Sequence, residues 1–127
     1  MGKNQKLTMQ EPLIKIGLVL PEDSMKVLTI KISKPSSFLI TGPEKDYDLN
    51  SSNKLIFKIK NEMIACKELN ILSKEIKIKN KYKESDAKIK IYGLTAGRGF
   101  HWQKEISASY WGSLIIKIYD SNLLVYN

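Results

Sequence analysis

The chain has one arginine, one histidine, one cysteine and two tryptophans among its 127 residues, and each scarcity narrows what it can be. The single cysteine, Cys66, rules out an intramolecular disulfide and supplies none of the paired-cysteine spacing of a zinc site. Preceded by Met63, Ile64 and Ala65, it reads as a small buried hydrophobe rather than as a nucleophile paired with distant His101. No run of about 18 apolar residues occurs, so no segment matches a membrane-spanning helix. The opening MGKNQKLTMQEP lacks the apolar core of a secretory signal, and Lys6 stands where a myristoylation signal needs Ser or Thr. There is no nucleophile elbow, phosphate-cradling loop or calcium loop: Gly93, Gly97 and Gly99 lack the strand, helix and acidic partner that such glycines require. These absences predict a chain with no metal and no cofactor.

What remains is lysine and alternation. The chain carries 21 basic against 13 acidic residues, a net charge of +8, and all but one of the basic residues are Lys. Such an excess attracts nucleic acid, anionic lipid or acidic cell-wall polymers. Specific base recognition leans on the planar fork of Arg, so sequence-selective nucleic-acid binding is not expected. Between Lys54 and Lys90 eleven Lys stand against five acidic residues, interleaved with Ile, which reads as the solvated face of a sheet.

Apolar residues recur with period two in Leu28–Ile32, Ile76–Lys79 and Ile89–Ile91, the pattern of half-buried strands. Further strands are predicted over Leu13–Leu20, Phe38–Thr41, Leu55–Lys60, Met63–Cys66, Ile106–Tyr110, Ser113–Tyr119 and Leu123–Tyr126, with Lys67–Ser73 ambiguous. Turn chemistry at Pro21–Ser24, Lys34–Ser37, Thr41–Glu44 and Asp120–Asn122 separates them. About ten short strands and no amphipathic helix long enough for a crossover predict an all-β domain, an antiparallel sandwich or partly closed barrel. Residues 1–12 are expected to be a flexible N-terminal segment and 13–127 a single β domain. The Asp-, Asn- and Ser-rich stretch Glu44–Asn53 is expected to be loose as well.

Two carboxylate pairs, Glu22–Asp23 and Glu84/Asp86, sit in turn-like, Lys-flanked sequence and read as solvated turn residues rather than an acid-base pair. The segment GRGFHWQK, residues 97–104, gathers the only Arg, the only His and one of the two Trp. Paired glycines around Arg98 permit unusual backbone angles, and the guanidinium can stack on an aromatic ring. Phe100 and Trp102, two apart, are expected to pack on one face with His101 on the other, and Arg98 to be the surface contact. Candidate binding residues are Arg98, His101, Trp102, Tyr110 and Trp111; no catalytic residue is assigned.

The C-terminal quarter, GRGFHWQKEISASYWGSLIIKIYDSNLLVYN, resembles the segment leading into the catalytic core of the stage II sporulation protein D, or amidase enhancer, family. Tyr110-Trp111-Gly112-Ser113-Leu114 is similar to a Tyr-x-Gly-x-Leu element, Leu123–Asn127 to an Asn-terminated strand, and Ile14–Asp23 to a first strand of some members. In that family a helix bearing a peptidoglycan-acting glutamate follows the strand. The resemblance therefore implies a non-catalytic β region of a cell-wall remodelling protein, extracytoplasmic, a fragment ending before its catalytic part. Peptidoglycan strands and a cell-wall amidase are the partners it implies. The alternative expectation is a free-standing Lys-rich module for nucleic acid or another polyanion.

Overall fold

The computed structural model describes residues 17–42, 44–49, 53–82, 86–98, 101 and 103–127. The expected flexible segment, Phe100, Trp102 and Glu84 lie outside them. Twelve strands follow in order: β1 (Gly17–Val19), β2 (Val27–Ile32), β3 (Phe38–Thr41), β4 (Asp46–Asp48), β5 (Lys54–Lys60), β6 (Met63–Cys66), β7 (Ile71–Ser73), β8 (Glu75–Asn80), β9 (Ile89–Ala96), β10 (Lys104–Tyr110), β11 (Leu114–Tyr119) and β12 (Asn122–Tyr126). Single 3-10 turns at Pro21–Asp23, Pro35–Ser37 and Lys67–Leu69 are the helical elements among the described residues. The chain is all-β, as its alternation predicts.

Every pairing is antiparallel, and the strands form two six-stranded sheets. Sheet one runs β10-β9-β2-β5-β6-β7 and sheet two β1-β12-β11-β8-β3-β4; they do not close into a barrel. Period-two alternation turns one side of each sheet inward. Leu28, Ile30, Leu55, Phe57, Ile64 and Ile91 of sheet one thereby share a core with Phe38, Ile40, Ile76, Ile78, Leu114 and Ile116 of sheet two. All twelve of these side chains are fully buried.

One expectation is corrected and two readings are extended. Asp46–Asp48, inside the stretch expected to be loose, forms a strand on the edge of sheet two beside β3, and Leu49 just after it is buried. Turn-forming composition conceals a strand whose partner supplies the hydrogen bonds. The ambiguous Lys67–Ser73 splits into a 3-10 turn and edge strand β7. Finally, β9 does not stop at Ile91. Its register against β10 shifts between Ile91 and Leu94, a bulge containing Gly93 at φ +79°, so the inward positions pass from 89 and 91 to 94 and the alternation is broken. Beyond the bulge, among the described residues, β9 pairs only with β10, as a two-stranded ribbon.

Candidate anion-binding face

The singular arginine serves this ribbon. Arg98 follows β9 and donates from Nε to Asp23 Oδ1 at 2.6 Å, and from a terminal nitrogen to Asp23 Oδ2 at 2.8 Å and to the Leu18 carbonyl at 3.1 Å. Asp23 Oδ2 also accepts the Leu20 N–H at 2.9 Å, which ties the carboxylate into its own turn. Its side chain is only 6% exposed, so the expectation of a solvated turn carboxylate fails for Asp23. The Arg98 guanidinium beside it outweighs burial and holds the Asp23 carboxyl below the usual range. Arg98 thus fastens the end of a sheet-one strand to β1 of sheet two, and its donors face protein rather than an outside ligand.

The other candidate residues do not join it. His101 is exposed near the ribbon tip, whereas Tyr110 and Trp111 lie at the opposite end of the seven-residue strand β10. Tyr110 packs partly against the core opposite Ile89. Trp111 is 63% exposed. Behind it, Gly112 adopts φ +87°, and the Asn127 amide donates to the carbonyls of Trp111 (3.1 Å) and Ser113 (2.6 Å), closing the bend into β11. Trp102 lies outside the described residues.

A second group of residues comes together on the outer face of sheet one. Register places Lys31 of β2 directly between Lys90 of β9 and Lys54 of β5, three lysines in one row across three strands. Neighbouring strands lie about 4.8 Å apart, so the three side chains are rooted side by side. Among the described residues none of the three has a carboxylate within ion-pair distance. Lys58 and Lys60 extend the face along β5. Lys58 opposes Val27 on one side and Ala65 on the other, and Ala65 opposes Leu72. An open trough of about 910 Å³ covers this part, lined by Ile56, Ala65 and Leu72, by Lys58, Lys60 and Lys67, and by Glu68, which feels the charge of Lys58.

Aromatic rings flank the row. Lys88 Nζ stands 5.0 Å from the Trp111 ring centroid, and Lys90 Nζ 5.1 Å from that of Tyr92. Tyr92 lies on the outer side with Thr29, Val27 and Thr95, where Glu105 and Asp23 are the acidic neighbours. Near Lys88, the exposed Asp86 is taken by Lys34.

Sheet two is arranged differently. There Glu75 bridges Lys117 at 3.2 Å and Lys77 at 3.8 Å, and the Lys117 ammonium is held above its ordinary pKa by the Tyr126 hydroxyl and then by Glu75. Alternation predicts lysines on the outside of both sheets. What it misses is that Lys77 and Lys117 on one face meet the Glu75 carboxylate whereas the Lys90–Lys31–Lys54 row on the other meets none among the described residues, because the partner opposite a residue depends on register rather than on local sequence.

Among the described residues, the carboxylates with shifted pKa all shift downward. Lys34 lowers Asp86 by hydrogen bonding, and Arg98 lowers Asp23 in the same way. Partial burial opposes ionisation of Glu68, but its own N–H and that of Ile56 prevail. Each is held ionised, the reverse of what a general acid needs at neutral pH. Burial pushes the Cys66 thiol up to about 11, in keeping with a packed hydrophobe.

Comparison with protein-family models, with curated proteins and with solved structures finds no match.

Proposed function

We propose that this chain is a non-catalytic β-sandwich that binds anionic polymers on the outer face of sheet one. The observation that carries this reading is the Lys90–Lys31–Lys54 row. Like charges set directly opposite one another destabilise a sheet, so three together are a standing cost that a bound anion would relieve. Sheet two supports the reading by contrast, since the same strand chemistry there sets the Glu75 carboxylate beside Lys77 and Lys117. The downward-shifted carboxylates support the non-catalytic part.

Titration with polyphosphate at several salt concentrations tests it. Lysine–phosphate contacts release counterions, so affinity should fall linearly on a log–log plot of salt. Lys31→Glu with Lys54→Glu should abolish binding, whereas Lys77→Glu with Lys117→Glu on the other face should not. Equal losses from both pairs would refute a face-specific site.

A second reading, the cell-wall module, draws on the family resemblance and on one contact. Asn127, the last residue of the Asn-terminated strand, closes the Tyr110–Leu114 element through Trp111 and Ser113, so the two stretches that carry the resemblance meet in space. On this reading the module is extracytoplasmic, beside a wall-acting region or an amidase, and the polymer is an acidic wall component. Retention on purified peptidoglycan, lost on stripping its anionic polymers, is the expected result.

A further inference from the structure

We infer that the polymer held by the lysine row is single-stranded nucleic acid, with bases stacking on Trp111 and Tyr92 and phosphates lying on the lysines between them. This rests on the anionic-polymer reading and narrows it. Ser109 is opposite Lys90 and Tyr110 opposite Ile89. Continuing that register sets Trp111 opposite Lys88, on the same outer side as the row. Lys88, the residue before β9, is followed at alternate positions by Lys90 and Tyr92 within it. The sheet therefore presents ring, cation, cation, ring along its β9–β10 margin, and Lys31 and Lys54 continue the charge sideways. The two rings are separated by about 13 Å along the strand direction, at about 3.3 Å per residue. That span leaves room for backbone between two stacked bases.

Rings beside cations suit a polymer that alternates flat π faces with phosphates, the arrangement by which proteins hold single strands without reading their sequence. A polymer of charge alone would make no use of the 63% exposed Trp111. A carbohydrate would draw on planar amide or carboxylate groups near the rings to pair with hydroxyls; the Asn127 amide beside Trp111 is already spent on the Trp111 and Ser113 carbonyls, which leaves Glu105 beside Tyr92. The uncharged polar side chains flanking the row are Ser109, Thr29 and Ser33, and the Ser33 hydroxyl already accepts the Lys88 N–H at 2.9 Å. The one arginine able to fork onto a base edge is occupied by Asp23. Binding should accordingly be indifferent to base identity.

The test compares a short oligothymidylate, an abasic oligomer with the same number of phosphates, and polyphosphate, each against the wild-type chain and against Trp111→Ala and Tyr92→Ala variants whose thermal midpoints are checked first. The expected result is that the oligothymidylate binds roughly tenfold or more tightly than the abasic oligomer. Trp111→Ala, at an exposed position, should erase most of that advantage and leave abasic binding unchanged. Equal affinity for the two oligomers, or an unaltered advantage in Trp111→Ala, overturns the inference while the anionic-polymer reading stands. Tighter binding to purified anionic wall polymer than to either oligomer overturns it in favour of the wall. Failure to bind any of these overturns both readings.

Discussion

Arg98 grips both carboxylate oxygens of Asp23, 75 residues earlier in the chain, and so joins the projecting ribbon of one sheet to the turn that leaves the other. The geometry is a side-on fork, which Lys cannot reproduce with a single ammonium. Removing one partner of a buried pair costs about 3–5 kcal/mol, because the other charge is left without solvent or counter-charge. Arg98 keeps 29% side-chain exposure, which admits water and screening. Arg98→Met should therefore cost about 2 kcal/mol, and Arg98→Lys should recover only part of it. Chemical denaturation of the single and double variants with Asp23→Asn would check this; a coupling energy near zero would show that the pair contributes nothing.

The same pair predicts a pH dependence. The folded-state pKa of Asp23 lies below its ordinary value of 3.8. Its contribution is therefore complete above about that pH and is lost as pH falls through the lower folded value. Thermal midpoints of the wild type should drop on acidification below pH 3.8 more steeply than those of Arg98→Met, in which the depression is gone. Parallel curves would contradict the assignment.

Strands could be read from sequence wherever one side chain in two is apolar and the other is Lys or Thr. Met63–Cys66 and Phe38–Thr41 are found with their predicted bounds. The reading weakens where another force sets the structure. Lys104–Tyr110 is an edge strand with mostly exposed side chains, so its sequence KEISASY need not alternate strictly, and only its Ile106–Tyr110 portion was legible. Gly93 breaks the period of β9 by one residue. The lysines of the candidate face could be placed outward from alternation alone, but the meeting of Lys90, Lys31 and Lys54 is set by pairings 23 to 59 positions apart. The Arg98–Asp23 contact has no local signature at all, which is why Arg98 reads as a surface contact in sequence and is a fastening in the fold.

Two hairpins carry strain that glycine would release. Asn61 and Glu62 join β5 to β6 with φ of 52° and 64°, and Asp120 and Ser121 join β11 to β12 with 52° and 62°. Both central residues with positive φ mark the type I′ turn, whose favoured sequence is Asn-Gly or Asp-Gly. A non-glycine residue in this region costs about 1–2 kcal/mol, offset in part by the greater freedom of Gly in the unfolded chain. Glu62→Gly and Ser121→Gly should each raise stability by about 0.5–1 kcal/mol and, being in separate turns, should add. A loss of stability in either would mean that its present side chain makes a contact worth more than the backbone strain.

Cys66 offers a probe of opening. Its side chain is 1% exposed, and burial lifts its pKa to about 11, so little thiolate is present near neutral pH. Alkylation at pH 8 should proceed only through opening of the β6–β7 edge or global unfolding, far more slowly than for a free thiol. Because the folded pKa lies above the unfolded one, the favourable burial of the neutral thiol is complete below pH 9.0 and is lost as pH rises toward 11. Replacement by Ser, which cannot ionise in this range, should flatten that part of the pH–stability curve. An unchanged alkaline limb would assign it to other groups.

The lysine row sets stability against binding. Lys31 faces Lys90 on one side and Lys54 on the other, so a neutral β-former at its position removes two like-charge contacts while leaving the core untouched. Lys31→Thr should therefore stabilise the free domain by about half a kcal/mol at low ionic strength. In molar salt, where the screening length shrinks to about 3 Å, the gain should vanish. The same substitution should weaken polyphosphate binding and lower its salt slope by about one, since one phosphate contact is lost. As a control, Lys77→Thr on sheet two removes a cation that partners Glu75, and it should give no gain in stability and no change in binding. Thermal melts at two salt concentrations, run beside the binding titration, separate the cases. If Lys31→Thr destabilises the domain or leaves binding unchanged, the row is ordinary solvated surface and the proposed site is lost with it.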